Sequence, residues 1–467
     1  MAALFTMLAA TVVASAAVSG AAESPSLTFV SLGDWGKLGT GQRNVAKQMG
    51  IEAQRLKASF VLAIGDNFYE HGVRSVNDPL WQTTYHDVYG PIDSLQVPFY
   101  AVLGNHDWYG NASAQIDYHY REPKPEWLSR ITLASLPFPL YAAATGRRWW
   151  MPHNWYSVAY PLTSEGQPMT GDSSEATEEQ QYAVFVFIDT WVADPSNRQL
   201  AAMRHEQLHW LAKTLHGAAT DPHVGWIIVV GHYPIYTSGQ HGDTDFLVSD
   251  VLPLLKEYQV DAYLCGHDHD LELLSEHTPE QPLPKNVTEL TSDTEGVTFV
   301  VTGAGGKKRS FSKPLHKQHI YGWPSYGFTS HVLTSSQMTT HFISSDGSLL
   351  FTYTQPRRIR TAVKEESELA PLIEDTPASE AKEVWAQWQW VAGAAGMGGL
   401  LAGAAVTWAV LFSGRKCGGW QRVADEPSPS PMDASRAPFD ECTDAGADAP
   451  KTRHTDTDAN KSRAQAG

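Results

Sequence analysis

The stretch Leu264-Cys265-Gly266-His267-Asp268-His269-Asp270 places two histidines two positions apart, behind a glycine, at the end of an apolar run. The same plan recurs along the chain. Apolar runs close on Gly33-Asp34, on Gly65-Asp66 with Tyr69 just beyond, on Gly104-Asn105-His106 and on Gly231-His232. Taken singly, each residue has a structural explanation: an aspartate after glycine suits a turn, and a histidine near a strand end finds a hydrogen-bond partner. Taken together, Asp34, Asp66, Tyr69, Asn105, His232, His267 and His269 offer more donors than one tetrahedral zinc needs. A two-metal site uses such a set, with a carboxylate bridging the mutually repelling cations. The mixture of oxygen and imidazole donors suits iron, zinc or manganese. No thiolate cluster competes, since the three cysteines, Cys265, Cys417 and Cys442, are scattered.

Such a site needs elements that bring distant residues together. Each run before these residues is short and rich in β-branched or aromatic side chains, the mark of a strand. Helical spacing fills the intervals at Gly41 to Ala58, Met203 to His216 and Phe246 to Gln259, so the central chain reads as layered α/β. In open α/β sheets the carboxyl ends of the strands share one crevice, where ligands bind. Farther on, strand-like runs from Glu295 to Pro356, with a turn at Ser345-Asp346-Gly347, predict antiparallel strands in a continuing sheet.

The chain has 467 residues, with Lys+Arg 34 against Asp+Glu 51 and a formal charge of -17. That balance argues against nucleic acid as a partner but leaves anionic small substrates open, because a metal's local charge outweighs a distant field. Residues 1-22 read as a signal peptide and 23-363 as a catalytic domain, followed by a polar stalk at 364-390. Residues 391-412 are long and apolar enough to cross a membrane as a helix, and 413-467 form a polar tail. Trp385, Trp388 and Trp390 upstream and Arg415-Lys416 downstream orient this as a single-pass type I anchor. The catalytic domain is then extracellular or faces the lumen of a lysosome or secretory vesicle. Asn111 and Asn286 head possible glycosylation sequons.

The blocks GDWG at Gly33, GDNFY at Gly65, GNHDWYGN at Gly104, VGHYPIYTSGQHG at Val230 and YLCGHDHD at Tyr263 resemble the metallophosphoesterase superfamily. Within it they resemble the purple acid phosphatases of the tartrate-resistant type, over roughly Leu27 to Pro356. The resemblance implies a four-layer α/β/β/α sandwich with two mixed β-sheets. It assigns Asp34, Tyr69 and His269 to Fe(3+), with Asp66 bridging to a second divalent ion, Fe2+, Zn2+ or Mn2+, held by Asn105, His232 and His267. It makes His106 and His241 the histidines that orient the phosphate and protonate the leaving alcohol. The implied reaction is hydrolysis of phosphomonoesters, small molecules or phosphoproteins, by direct attack of a metal-bound hydroxide, fastest in acid. Tyr69 is the most diagnostic residue, because other metallophosphoesterases usually lack it. A phosphodiesterase or nucleotidase on the same scaffold, or a non-catalytic surface receptor, are the alternatives.

Several neighbours carry further expectations. Asp268, between two candidate ligands, is expected to be structural or to fix an imidazole through its other nitrogen, and Cys265 to serve packing. Asp270 stands where mammalian-type enzymes commonly have asparagine. Trp149 and Trp150 either stack on a substrate ring or pack in the protein. The acidic segment Ser164 to Gln181 reads as a surface insertion, a lid or an autoinhibitory loop.

Overall fold

The computed structural model describes residues 26–121, 148–162, 181–276, 287–292, 296–311 and 314–361. The expected signal peptide, stalk, membrane span and tail lie outside them, as do Asn286 and residues 164–180 of the acidic segment. Among the described residues no helix is long and apolar enough to cross a membrane.

Two mixed sheets carry the architecture. The first contains β1 (Ser26–Leu32), β2 (Phe60–Ile64), β3 (Phe99–Val102), β4 (Trp149–Trp150), β10 (Glu289–Thr291), β13 (Gly327–Thr334), β14 (Gln337–Ser344) and β15 (Leu349–Pro356), in the order β10-β15-β14-β13-β1-β2-β3-β4. Strands β1 to β4 are parallel, whereas β13 returns antiparallel against β1, with Ser26 opposite Thr334. Of the run from Glu295 expected to be antiparallel in one sheet, β13-β14-β15 is so, with β14 turning into β15 through Ser345 to Ser348, whereas Thr298–Thr302 and His319–Trp323 join the second sheet.

The second sheet contains β5 (Tyr156–Pro161), β6 (Tyr182–Phe187), β7 (Val224–Val230), β8 (Ala262–Cys265), β9 (Leu271–Ser275), β11 (Thr298–Thr302) and β12 (His319–Trp323), in the order β12-β9-β11-β8-β7-β6-β5. Its centre, β6-β7-β8-β11, is parallel. Alternate residues of these strands serve different cores, as the period of two requires. Phe185, Phe187, Trp226, Ile228, Val230 and Leu264 join the core shared with the first sheet, whereas Val184, Val186, Ile227, Val229 and Tyr263 join a second core. Aromatic rings stitch the sheets face to face: Phe29 and Phe60 each meet Phe185 at 5.2 Å, and the hydroxyls of Tyr100 and Tyr160 lie 2.8 Å apart.

Helices cover the outer faces. Helix α1 (Thr40–Leu56) buries Val45, Ala46, Met49 and Ala53 against β1 and β13 of the first sheet, and ends at Lys57, which adopts a left-handed φ of 55°. Two short helices, α2 (Asn105–Trp108) and α3 (Ser113–Arg121), follow β3. Beyond the second sheet, α4 (Thr190–Ala193) starts on Asp189, whose carboxylate accepts from the amides of Trp191 and Val192. The second core takes Leu211 and Leu215 from α5 (Ala201–Thr220), Leu247 from α6 (Asp245–Asp250) and Leu255 from α7 (Leu252–Glu257). The layers run helix, sheet, sheet, helix.

Candidate metal centre

The parallel strands of both sheets end at one seam. Asp34 follows β1, Asp66 and Tyr69 follow β2, and Asn105 opens α2 after β3; His232 follows β7, and His267 and His269 follow β8. The first sheet thus brings the oxygen donors and the second the imidazoles. Glycine makes the approach close enough. A Cβ on Gly266 would lie 2.6 Å from Asp34 Oδ2, and one on Gly65, already at φ +78°, would lie 2.5 Å from His232 Nδ1. Asp34, Asp66 and His267 themselves sit at left-handed φ of 55°, 51° and 70°. Such conformations cost about 1–3 kcal/mol each and cluster where function demands them.

Asp34, Asp66 and His232 are buried, each with a donor atom within 4.8 Å of the others. The Tyr69 hydroxyl donates to Asp66 Oδ2 at 2.6 Å and lies 2.9 Å from Asp34 Oδ1, while His269 Nε2 is 3.4 Å from that same Asp34 oxygen. On the other side, His232 Nε2 is 3.5 Å from Asp66 Oδ1 and 3.3 Å from Asn105 Oδ1. Asp66 therefore turns one oxygen toward Tyr69 and the other toward His232. His267 joins by its ring, 5.2 Å from that of His232, and its backbone amide donates to Asp34 Oδ2 at 2.7 Å.

The polarity of these contacts tests whether a cation fits. His232 Nδ1 lies 2.9 Å from the Ile64 carbonyl, which can only accept, so that nitrogen carries the proton and Nε2 carries a lone pair. That lone pair faces the oxygens of Asp66 and Asn105, an arrangement a cation reconciles. Burial drives Asp34 up to about 8, the charge of Asp66 adding to the effect. Burial also acts on Asp66, but His232 and His106 hold it below the ordinary carboxylate value. Burial pushes Tyr69 well above 10, helped by the two aspartates, and pushes His267 well below 6.5 and His269 to about 3. Neutral imidazoles are the state that metals bind, a cation would displace the protons that burial keeps on Asp34 and Tyr69, and the group Asp34, Asp66 and His232 fits a metal ion.

His106 and His241 flank this set. His106 donates its amide to Asp66 Oδ1 at 2.9 Å, sets Nδ1 2.6 Å from the Glu70 carbonyl and lies over the Tyr69 ring at 4.4 Å. Its Nε2 is left on the side of Asp66, 3.9 Å from Oδ2. His241 stacks on His267 at 4.1 Å. The imidazole that Asp268 fixes is that of His241: its Oδ1 accepts from the His241 amide at 3.1 Å and Nδ1 at 2.9 Å, and its Oδ2 accepts from Thr237 at 2.8 Å. The reason is the loop Thr237 to His241, which folds directly over the Asp268 carboxylate.

Trp149 is wholly buried, donates Nε1 to the Gln115 carbonyl at 3.1 Å and packs edge-on against Trp81 and Tyr85. Of its two expected roles, packing is the one found. Trp150 is half-buried beside His119. Cys265 is buried, its thiol pushed well above 9 by burial, as suits a packing role.

Sequence reading missed the residues that hold the loops. Asp107 Oδ2 accepts from the amides of Asn67 and Gly104 at 3.1 and 2.9 Å, and Oδ1 from Phe68 and Gln115 at 3.2 and 2.8 Å, locking the Asp66 loop to the Asn105 loop. Its position between His106 and Trp108 in GNHDW was the available signal. It also missed Lys307 and Arg309, which follow β11 in the glycine-rich GAGGKKR. Lys307 Nζ lies 4.3 Å from the Tyr69 ring centroid, and Arg309 Nη1 lies 3.2 Å from His241 Nε2.

The profile of the Calcineurin-like phosphoesterase family matches residues 27–271. The chain is 33% identical over 351 residues to tartrate-resistant acid phosphatase type 5 of Oryctolagus cuniculus, covering 72% of this chain and 93% of that protein. It is 30% identical over 335 residues to glideosome-associated protein 50 of Plasmodium falciparum, covering 70% and 76%. Among solved structures, that of GAP50, described as the anchor in the inner membrane complex of Plasmodium, superposes with a TM-score of 0.58 and 28% identity, covering 76% of this chain and 98% of that one.

Proposed function

We propose that this chain, which belongs to the calcineurin-like phosphoesterase family, is an acid phosphatase that hydrolyses phosphomonoesters at a binuclear centre of Fe(3+) and a divalent ion. Asp34, Tyr69 and His269 would hold the iron, Asn105, His232 and His267 the divalent ion, and Asp66 both. The single observation that carries the reading is the Tyr69 hydroxyl, set 2.6 Å from Asp66 and 2.9 Å from Asp34, where a phenolate would share their cation. When bound, the two cations supply the charge that neutralises a phosphate and acidifies a water molecule at low pH.

The chain's own residues do the rest. The Glu70 carbonyl fixes the His106 ring by its Nδ1, so that Nε2 faces the phosphate cleft. Asp268 fixes the His241 ring in the same way, and its Nε2 accepts from the Arg309 guanidinium. Once protonated at Nε2, either ring can donate to a phosphate oxygen and pass that proton to the departing alcohol. Left-handed backbone at Asp34, Asp66 and His267 holds the donors in place before any ligand arrives. In this reading the residues beyond 363 anchor the catalytic domain as a type I membrane protein.

The second reading is a non-catalytic anchor, favoured by the likeness to GAP50 in both sequence and structure. Presence of all seven candidate ligands in this chain supports catalysis instead. The test is phosphate release from an aryl phosphomonoester by the iron-reconstituted protein across pH, together with its visible spectrum. The expected outcome is turnover peaking in acid, with a phenolate-to-iron absorption band that disappears in Tyr69→Phe, and a loss of about three orders of magnitude in kcat for Asp66→Asn. Turnover unaffected by Asp66→Asn refutes the ligand assignment; no turnover with both metals bound supports the anchor. Faster turnover of phosphodiesters than of monoesters would move the chain to the diesterases.

A further inference from the structure

The short turn α2 sets the residue after it over its first member, since side chains four apart share a helix face. The Tyr109 amide accordingly donates to the Asn105 carbonyl at 3.2 Å. The side chains meet as well. Asn105 Nδ2 donates to the Tyr109 hydroxyl oxygen at 3.3 Å, while Asn105 Oδ1 faces His232 Nε2 at 3.3 Å. The Asn105 amide, itself buried, thus has one partner at each end.

The Tyr109 ring is braced from two sides. It meets the His106 ring edge-on at 5.2 Å and the Trp191 ring at 5.7 Å and 85°. The Asp189 carboxylate ties that brace to the turn, because Oδ1 accepts from the Trp191 amide at 3.0 Å and Oδ2 from Trp108 Nε1 at 3.0 Å. Tyr109 is nevertheless 52% exposed, so it adds little to the core.

The polarity of the amide decides what the contact is for. A half-turn of the Asn105 side chain would exchange its oxygen and nitrogen. Only with the oxygen toward His232 does it offer a lone pair to a cation beside Asp66; the turned amide would present its hydrogens there. An amide whose oxygen is drawn by a cation becomes a stronger donor at nitrogen. Among the described residues the Tyr109 hydroxyl is the acceptor of that nitrogen. A buried N–H without an acceptor is less tolerated than a carbonyl without a donor, so losing the hydroxyl would disfavour the cation-binding orientation more than the turned one.

We propose that Tyr109 is a positioning residue for the divalent ion: its hydroxyl takes the Asn105 N–H and keeps the Asn105 oxygen turned to the cation that His232 and Asp66 share. The inference deepens the phosphatase reading and rests on its assignment of Asn105 as a ligand.

The test is the Zn2+ affinity of the full-length protein in detergent, preloaded with Fe3+, by competition with a chelator. Tyr109→Phe keeps the ring and removes only the hydroxyl; it should weaken Zn2+ about tenfold, with the urea midpoint of the metal-free protein unchanged. Asn105→Ala should weaken Zn2+ by itself, and in that background Tyr109→Phe should change the affinity less than about twofold, since the two residues act through one contact. Unchanged Zn2+ affinity in Tyr109→Phe, or the same loss with and without Asn105, overturns the inference, and a lowered urea midpoint without coupling to Asn105 makes the role of Tyr109 structural. Aryl phosphate turnover by the wild type separates this inference from the reading beneath it. Turnover with Zn2+ affinity unmoved by Tyr109→Phe keeps the phosphatase and rejects the positioning, whereas a coupled loss of Zn2+ affinity without turnover of any ester does the reverse.

Discussion

His331 on β13 is the group whose protonation most clearly ties this fold to pH away from the metal donors. It has no exposed surface, stacks on Phe29 at 4.5 Å, and lies 3.0 Å from the Ser31 hydroxyl, 3.1 Å from that of Thr329 and 3.1 Å from that of Thr340. Burial, with His341 adding to it, pushes its pKa from 6.5 to about 3. The unfolded chain takes up a proton below 6.5 that the folded chain refuses until about 3, so stability falls as pH falls through that window. The slope approaches about 1.4 kcal/mol per pH unit, and between pH 7 and 5 the loss comes to about 2 kcal/mol, because the first half unit lies above the window. His331→Gln removes the titration. At pH 7 the variant should be less stable by about 1–3 kcal/mol, through lost stacking and hydrogen bonds. By pH 5 the gap to wild type should shrink by about 2 kcal/mol, since only the wild type is losing stability at this position. Urea unfolding of both proteins at matched metal concentration, at the two pH values, measures the change. A gap that stays constant within about 0.5 kcal/mol would refute a buried neutral imidazole.

Asp268→Asn should keep the shape of the carboxylate but release its charge from His241; the expected result is a roughly tenfold fall in kcat with KM and metal content nearly unchanged, and metal loss would instead make Asp268 part of the ligand shell. Trp149→Ala should cost about 3–5 kcal/mol of stability by urea midpoint and leave the KM for an aryl phosphate unchanged; a raised KM with little loss of stability would return Trp149 to the cleft.

What could be read from the sequence was the part written in local pattern. The runs before Asp34, Asp66, Asn105, His232 and His267 are strands because β-branched and aromatic residues alternate or cluster there, and their exits carry the donors. Helix α1 declares itself through Val45, Ala46, Met49 and Ala53. The partition of strands between two sheets was not legible from the residues, since β7 and β13 are both apolar and nothing local says which neighbours they take. The same limit left open which imidazole Asp268 fixes, because the choice of His241 is made by the fold of the Thr237 to His241 loop. Lys307 and Arg309 drew no reading from the sequence, because only the fold sets them beside Tyr69 and His241.

The antiparallel return of β13 onto β1 has a consequence for how the protein is made. Asp34 sits at the end of β1, yet β1 gains its second neighbour only when β13 arrives, and the Ser31 hydroxyl meets His331 across a separation of 300 residues. During synthesis the first candidate ligand thus emerges early and waits beside an unfinished sheet edge, since pairing so distant in sequence is slow to form. The second sheet needs β11 and β12 as well. Metal uptake would therefore wait on β13, since a chain interrupted before it would carry all seven candidate ligands while leaving β1, and with it Asp34, short of its second neighbour.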